Sequence, residues 1–157
     1  MNHCHALRSN DFAAVAAWLA RVPLMQRYGV SAESAARQLA GAQLRGDSLI
    51  GLYEDGENCI GLAWIIPDGA FGRSAYLRLI AVHSEATGRG LGTILLEEAE
   101  RTAAQSGPYL FLLVSDFNTA AQRFYARHGY QQIGAVPGFV LPDVTELIYW
   151  KRLTPSS

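Results

Sequence analysis

The sequence predicts a single α/β domain spanning residues 1–157, with helices flanking a mixed sheet. Three observations carry this. The length fits one domain and leaves little room for a second. Half of the residues are hydrophobic and 17% are charged, as in a chain that builds a real core. Segments with helix and strand patterning follow in the order helix, helix, three strands, helix, strand, helix, two strands, with no repeat, low-complexity tract or linker between them.

Residues 1–5 read as an edge strand or a frayed terminus. Asn10 or Asp11 can cap a first helix, in which Phe12, Val15 and Leu19 share one face and which Pro23 stops. Ser31 can cap a second helix, running toward Gly41 or Gly46. Residues 48–53 and 59–66 flank the polar turn Glu54-Asp55-Gly56-Glu57 and pair as a hairpin. Residues 67–72 read as a mobile, glycine-containing loop, and residues 75–82 as the third strand. In the next helix Leu91, Ile94, Leu95 and Ala99 form the buried stripe, while Glu97, Glu98, Glu100 and Arg101 face water. Gly107-Pro108 breaks the chain before a strand at 109–114 that is apolar on both faces and therefore central. A helix over 118–127 ends at His128-Gly129, with the glycine placed for a C-cap, and strands near 130–135 and 146–151 complete the order.

The composition also removes several functional classes. A formal net charge of −1 gives no global field that gathers nucleic acid or anionic membrane, so neither is an expected partner. Cys4 and Cys59 do not resemble a secreted disulfide framework, which points to a reducing compartment. No apolar run approaches the ~18 residues that span a bilayer. The expectation is a soluble, cytoplasmic protein. The run Met1-Asn2-His3-Cys4-His5 lacks the spacing of a structural zinc site, so no metal is expected.

The most informative stretch is Leu79-Ile80-Ala81-Val82-His83-Ser84-Glu85-Ala86-Thr87-Gly88-Arg89-Gly90-Leu91-Gly92. A buried strand runs into a loop with alternating glycines at which a helix begins. Glycines let backbone N–H groups approach a ligand and tolerate positive φ. Those N–H groups, with the positive end of the helix dipole, suit a phosphate or pyrophosphate, and Arg89 adds a guanidinium. A dinucleotide fingerprint would place its glycines directly after the strand, and a P-loop would need Lys before Thr93; neither pattern is present.

A second motif is Val114-Ser115-Asp116-Phe117-Asn118-Thr119-Ala120-Ala121-Gln122-Arg123-Phe124-Tyr125-Ala126-Arg127-His128-Gly129-Tyr130. Asn118, Ala121 and Tyr125 fall at i, i+3 and i+7, on one helical face. With both motifs in this order and spacing, the chain resembles the GCN5-related N-acetyltransferase (GNAT) superfamily over nearly its whole length, and its length and layout are similar to those of the RimI-like members. The resemblance implies a mostly antiparallel mixed sheet that splays open between the strands ending near Val82 and Val114, with acetyl-CoA as co-substrate in the opening. The backbone of Ile80, Ala81 and Val82 would pair with the pantetheine arm. The segment Thr87, Gly88, Arg89, Gly90, Leu91, Gly92 and Thr93 would cradle the pyrophosphate. Asn118 would contact the pantetheine or acetyl region, Tyr125 would protonate the leaving sulfur, and the Val82 N–H would meet the developing oxyanion. A phenol titrating near ~10 can protonate a thiolate whose thiol titrates near ~8.5.

The implied function is transfer of an acetyl group from acetyl-CoA to a primary amine of a small molecule or protein, with a homodimer as a family expectation. The alternative is a non-catalytic acyl-CoA-binding or sensor module on the same fold; retention of Asn118 and Tyr125 favours the enzyme. The sequence departs from the family pattern in three places. Thr87 stands where the loop usually opens with Arg or Gln. Tyr76 and Leu113 stand where histone-type and ribosomal-protein-type relatives carry a glutamate. Candidate bases are then His83, Glu85, Asp116 and Glu146, with a water chain or an amine that arrives already neutral as the equal alternative. Trp18, Met25, Arg27, Tyr28, Phe139 and Trp150 are candidates to line an acceptor site between the N-terminal helices and the final hairpin.

Overall fold

The computed structural model describes residues 1–154. Its elements are β1 (Asn2–Ala6), a 3-10 turn (Ser9–Asp11), α1 (Phe12–Leu19), α2 (Pro23–Arg27), α3 (Ala32–Arg45), β2 (Ser48–Glu54), β3 (Asn58–Ala70), β4 (Ser74–Val82), a second 3-10 turn (Ser84–Ala86), α4 (Leu91–Ala103), β5 (Tyr109–Ser115), α5 (Thr119–Arg127), β6 (Gln131–Pro137) and β7 (Thr145–Arg152). The strands form one seven-stranded sheet in the order β1-β2-β3-β4-β5-β7-β6. Every pairing is antiparallel except β4 with β5. The mixed sheet flanked by helices is the fold class that the sequence predicts.

Alternation along the strands divides the core in two. Ile50 and Leu52 point to the face covered by α4, where Leu91, Leu95, Leu96 and Ala99 bury their side chains. Leu49 and Tyr53 point to the opposite face, against Phe12, Val15 and Leu19 of α1 and Leu39 of α3. The α4 stripe differs from the expectation by one position. Leu96 is fully buried and Ile94 is 40% exposed, because the helix lies over the sheet on its Leu91-Leu95-Leu96-Ala99 side. Glu100 turns inward rather than to water, accepting from the Tyr130 hydroxyl at 2.7 Å and from Lys151 Nζ at 3.0 Å.

Three local expectations are corrected. Residues 67–72 are not a loop: β3 continues to Ala70, and Phe71 and Gly72, both at positive φ, make a tight hairpin turn into β4. A Cβ at Gly69 would lie 2.9 Å from the Tyr76 Cβ, so glycine permits this close approach of the two strands. Pro23 does not merely stop the first helix but opens the short helix α2 at its first turn. Asp11 does not cap α1 through its side chain; its carboxylate instead accepts from Arg8 Nε and the Tyr53 hydroxyl, each at 2.8 Å. Helix α3 follows the sequence reading, with Ser31 and Ser34 bonded reciprocally at its start and Gly46 at φ 82° closing it.

Candidate active site

The site begins where two parallel strands part. β4 and β5 pair only over Ala75–Leu77 and Leu110–Leu112. β5 stays bonded to β7 as far as Ser115 opposite Glu146, so beyond Leu77 the strand β4 has no neighbour on that side. A bulge accompanies the parting: Leu77 faces Ile65 and Leu79 faces Trp64, leaving Arg78 as the extra residue. Bulges bend a strand and increase its twist, which turns the end of β4 away from β5. The His83 N–H bonds to Ile60 O of β3 at 2.8 Å. By alternation the N–H groups of Ile80 and Val82 point the other way, into the opening.

The glycine loop follows the free end of β4 and leads into α4. Gly88 has φ 79° and Gly90 φ 73°, conformations that favour glycine, and a Cβ at either would meet nothing within 4 Å. Gly90 is the N-cap of α4, and no side chain caps that helix end. The first-turn N–H groups of α4 therefore remain open toward the loop, which suits an anionic pyrophosphate. A Cβ at Gly92 would touch the Phe124 ring at 3.5 Å, so this glycine serves the packing of α4 against α5. Thr87 Oγ1 donates to Ser84 O at 3.1 Å and stays within the loop. Thr93 Oγ1 lies 3.2 Å from His128 Nε2, which ties the start of α4 to the end of α5. Arg89 turns away from the cradle and pairs with Glu54 at 2.9 Å.

A cavity of about 300 Å³ fills the opening. From the α5 side it is lined by Asn118, Ala121 and Tyr125, the three residues that the sequence places on one helical face. Asn118 caps α5, its Oδ1 accepting from the Ala121 N–H at 3.1 Å, which leaves its amide NH₂ to donate elsewhere. The Tyr125 ring packs edge-on against Phe124 and Tyr130, and burial pushes its phenol above the ordinary tyrosine value. From the opposite side come Tyr28, which follows α2, and Leu39 of α3, while the sheet contributes Tyr76, Ser115 and Glu146.

Glu146 is 5% exposed and is the cross-strand partner of Ser115, so their side chains share a face of the sheet. The Tyr28 hydroxyl donates to Glu146 and shares a 2.6 Å bond with Ser115 Oγ. Since Tyr28 has one proton to give, Ser115 is the donor in the second bond, and the chain of donors runs Ser115 to Tyr28 to Glu146. Burial and the bond to Glu146 raise the Tyr28 phenol above its ordinary value. The cavity thus holds the buried carboxylate of Glu146 and the half-buried phenol of Tyr125.

The sequence profile of the acetyltransferase (GNAT) family matches residues 15–130. The chain belongs to that family. Among solved structures, the ribosomal-protein-S18-alanine N-acetyltransferase of Escherichia coli is 20% identical, covering 100% of this chain and 97% of its own, with a TM-score of 0.79. An N-acetyltransferase of Staphylococcus aureus Mu50 is 16% identical, with 98% and 99% covered and a TM-score of 0.80. The yncA protein of Salmonella typhimurium, solved with its cofactor acetyl-CoA, is 17% identical, with 99% and 96% covered and a TM-score of 0.78. At these identities the likeness is one of fold.

Within this GNAT domain the remaining candidates separate. Of the four carboxylate and imidazole candidates only Glu146 lines the cavity between the strands. His83 and Glu85 line a different groove of about 620 Å³ beside α1, together with Trp18 and Arg89. The exposed Asp116 accepts from the Thr145 N–H at 3.2 Å and fastens the turn after β5 to β7. Met25 and Tyr28 line the cavity, and Val140 does so in place of its neighbour Phe139. Arg27 stacks on Phe117 at 3.8 Å, and Trp150 packs against Tyr109 and Phe111. Sequence reasoning missed Ser115 and Arg78. A serine ending an apolar strand was the signal for the first; nothing in the local pattern marked the bulge that displays the second.

Among the described residues no group of three or more His, Cys, Asp or Glu is gathered to hold a metal, and no helix is long and apolar enough to cross a membrane. Cys4 and Cys59 are free thiols.

Proposed function

We propose that the protein transfers the acetyl group of acetyl-CoA to a primary amine, with Glu146 as general base and Tyr125 as general acid. The observation that carries this reading is the juxtaposition of the two groups in one cavity. That cavity lies at the strand splay, and β4, which forms one wall of it, leads into a glycine loop and an uncapped helix N-terminus that suit a pyrophosphate.

Each step has a residue. Glu146 takes a proton from the acceptor ammonium, and the freed nitrogen lone pair attacks the thioester carbonyl carbon. As the N–C bond forms, the Val82 N–H donates to the carbonyl oxygen, where negative charge grows. As the C–S bond breaks, the Tyr125 hydroxyl gives its proton to the departing sulfur and is reprotonated from solvent. The nitrogen sheds its remaining extra proton, so the products are an N-acetylated amine and a free CoA thiol. The Asn118 amide orients the pantetheine arm, and Ile80 and Val82 bond it as an added strand would.

The test is steady-state thiol release with acetyl-CoA and a panel of amines. Tyr125→Phe is expected to lower kcat about 10- to 1,000-fold while the acetyl-CoA Kd moves less than about threefold, because the ring and its packing remain. The pH dependence follows from the raised phenol. A tyrosine held above its ordinary value stays protonated as pH rises toward 10, so the wild-type profile is expected to show no alkaline decline from this acid below about pH 10. Unchanged kcat in Tyr125→Phe would reduce Tyr125 to a packing residue. Tight acetyl-CoA binding with no turnover of any amine would point to a binding module instead.

A further inference from the structure

We propose that the acceptor is an apolar amino acid or close analogue, a small molecule carrying a carboxylate beside its primary amine, with Arg78 and Trp64 as the carboxylate site. The inference rests on the acetyl-transfer reading above and adds the chemistry of the acceptor to it.

Arg78 is the extra residue of the β4 bulge, the one place on that strand where a side chain is re-aimed relative to the pleat. It lines the same cavity as Glu146 and Tyr125. Its guanidinium carbon lies over the Trp64 ring, 3.9 Å from the centroid, and Nη2 donates to Gln38 Oε1 at 3.4 Å. The cation–π contact holds the guanidinium beside the indole, and its fork of N–H donors suits a planar anion. Among the described residues the ion pairs engage Arg8, Arg45, Arg89, Arg101 and Lys151, and Arg78 forms none. Asp47, the acid beside Trp64, is taken by Arg45 Nη2 and Trp64 Nε1, each at 3.0 Å. Arg78 is exposed to solvent and lines the cavity, so its guanidinium is open to an incoming carboxylate.

The other charged group lining the cavity is Glu146, and Tyr76 lines it as well. An ammonium at Glu146 and a carboxylate at Arg78 together describe a zwitterion. Leu24, Met25, Val30 and Leu39 add an apolar stretch to the wall, which suits an aliphatic or aromatic side chain. About 300 Å³ must also admit the thioester end of the donor, which leaves room for a small acceptor. The N-terminus of a protein substrate presents an amide where the free amino acid presents its carboxylate, and would leave Arg78 unpaired.

The experiment compares, with acetyl-CoA and thiol release as readout, L-phenylalanine, its carboxamide and phenethylamine, and the corresponding leucine series. In the wild type kcat/KM for the free acid is expected to exceed that for the carboxamide and the amine by at least about tenfold, expressed mainly in KM, the size of one charge-assisted interaction. Arg78→Met is expected to bring the acid-to-carboxamide ratio to within about threefold of one, and Arg78→Lys, which keeps the charge without the fork, to an intermediate value. Thermal melts of both variants establish that they are folded, and the wild-type series needs no variant at all. Equal use of acid, carboxamide and amine, or a ratio that Arg78→Met leaves unchanged, overturns the carboxylate site while acetyl transfer stands. Thiol release with no acceptor of these series or of a wider amine panel, in a protein that binds acetyl-CoA, overturns acetyl transfer and the acceptor assignment together.

Discussion

At one end of the proposed site the groups offered to a ligand are main-chain amides: the N–H groups of Ile80 and Val82 on an unpaired strand edge, and those at the uncapped start of α4 beyond Gly88 and Gly90. At the other end they are side chains, and they come from far apart in the chain. Tyr28 lies 87 positions from Ser115 and 118 from Glu146. The first end depends on conformation, since any residue with the right φ supplies the same N–H. The second depends on identity, since only a carboxylate can take the proton and only a guanidinium offers the fork. In the proposed reaction the donor end would set what is transferred and the acceptor end what receives it, and the two should respond separately to substitution.

The largest expected effect is at the acceptor end. Glu146→Gln keeps the shape and the hydrogen bond from Tyr28 but removes the proposed base, and kcat is expected to fall by ~10²–10⁴. Isothermal calorimetry on the same preparation should find the acetyl-CoA Kd within about threefold of wild type, because the cradle is untouched. A matching loss of acetyl-CoA affinity would join the two ends into one site. The complementary change is Gly90→Val. Its Cβ meets no protein atom, so the fold has room for it, but φ 73° strains a β-branched residue and the new methyls stand where a pyrophosphate would lie. Relaxing the left-handed conformation costs about 1–2 kcal/mol, and acetyl-CoA affinity is expected to drop roughly tenfold or more. Wild-type affinity in a folded Gly90→Val protein would show that the loop only turns the chain.

The same division explains what could be read from the sequence. The element order, the glycine loop at the start of α4 and the Asn118–Tyr125 face were legible because each is local: alternating glycines before an amphipathic helix, or three positions at helical spacing. The acceptor end was not. Glu146 stood equal with His83, Glu85 and Asp116 until the register of β5 with β7 put it beside Ser115, and until the 3-10 turn at Ser84–Ala86 carried His83 and Glu85 to another groove. Trp18 looked like a groove aromatic but spends its indole N–H on Cys59 O at 3.1 Å. Arg78 followed the strand period in sequence, and only the bulge, a property of two strands together, exposed it to the cavity. Residues 67–72 misled for a similar reason, since Pro67 and Gly69 mark loops elsewhere but here sit in a bulged hairpin whose turn is Phe71-Gly72.

The smallest expected effect tests the comparison most finely. Tyr28→Phe keeps the ring among its neighbours and deletes only the hydroxyl that passes Ser115's hydrogen bond on to Glu146. The carboxylate loses a donor that helps to fix its position, and water entering the cavity replaces part of that bond. We expect kcat/KM for the amine to fall about three- to tenfold, near the ~1 kcal/mol net value of a hydrogen bond, with the acetyl-CoA Kd unchanged. Because burial and Glu146 hold the Tyr28 phenol above its ordinary range, it remains a donor across the working pH, and the wild-type-to-variant ratio should be flat between about pH 7 and 9. A ratio that changes with pH would mean that Tyr28 itself exchanges the proton, which makes it a catalytic group rather than a positioning one. A loss of acetyl-CoA affinity equal to the loss of kcat/KM would mean that anchoring the segment after α2 also shapes the donor end, and the boundary drawn between the two ends would have to move.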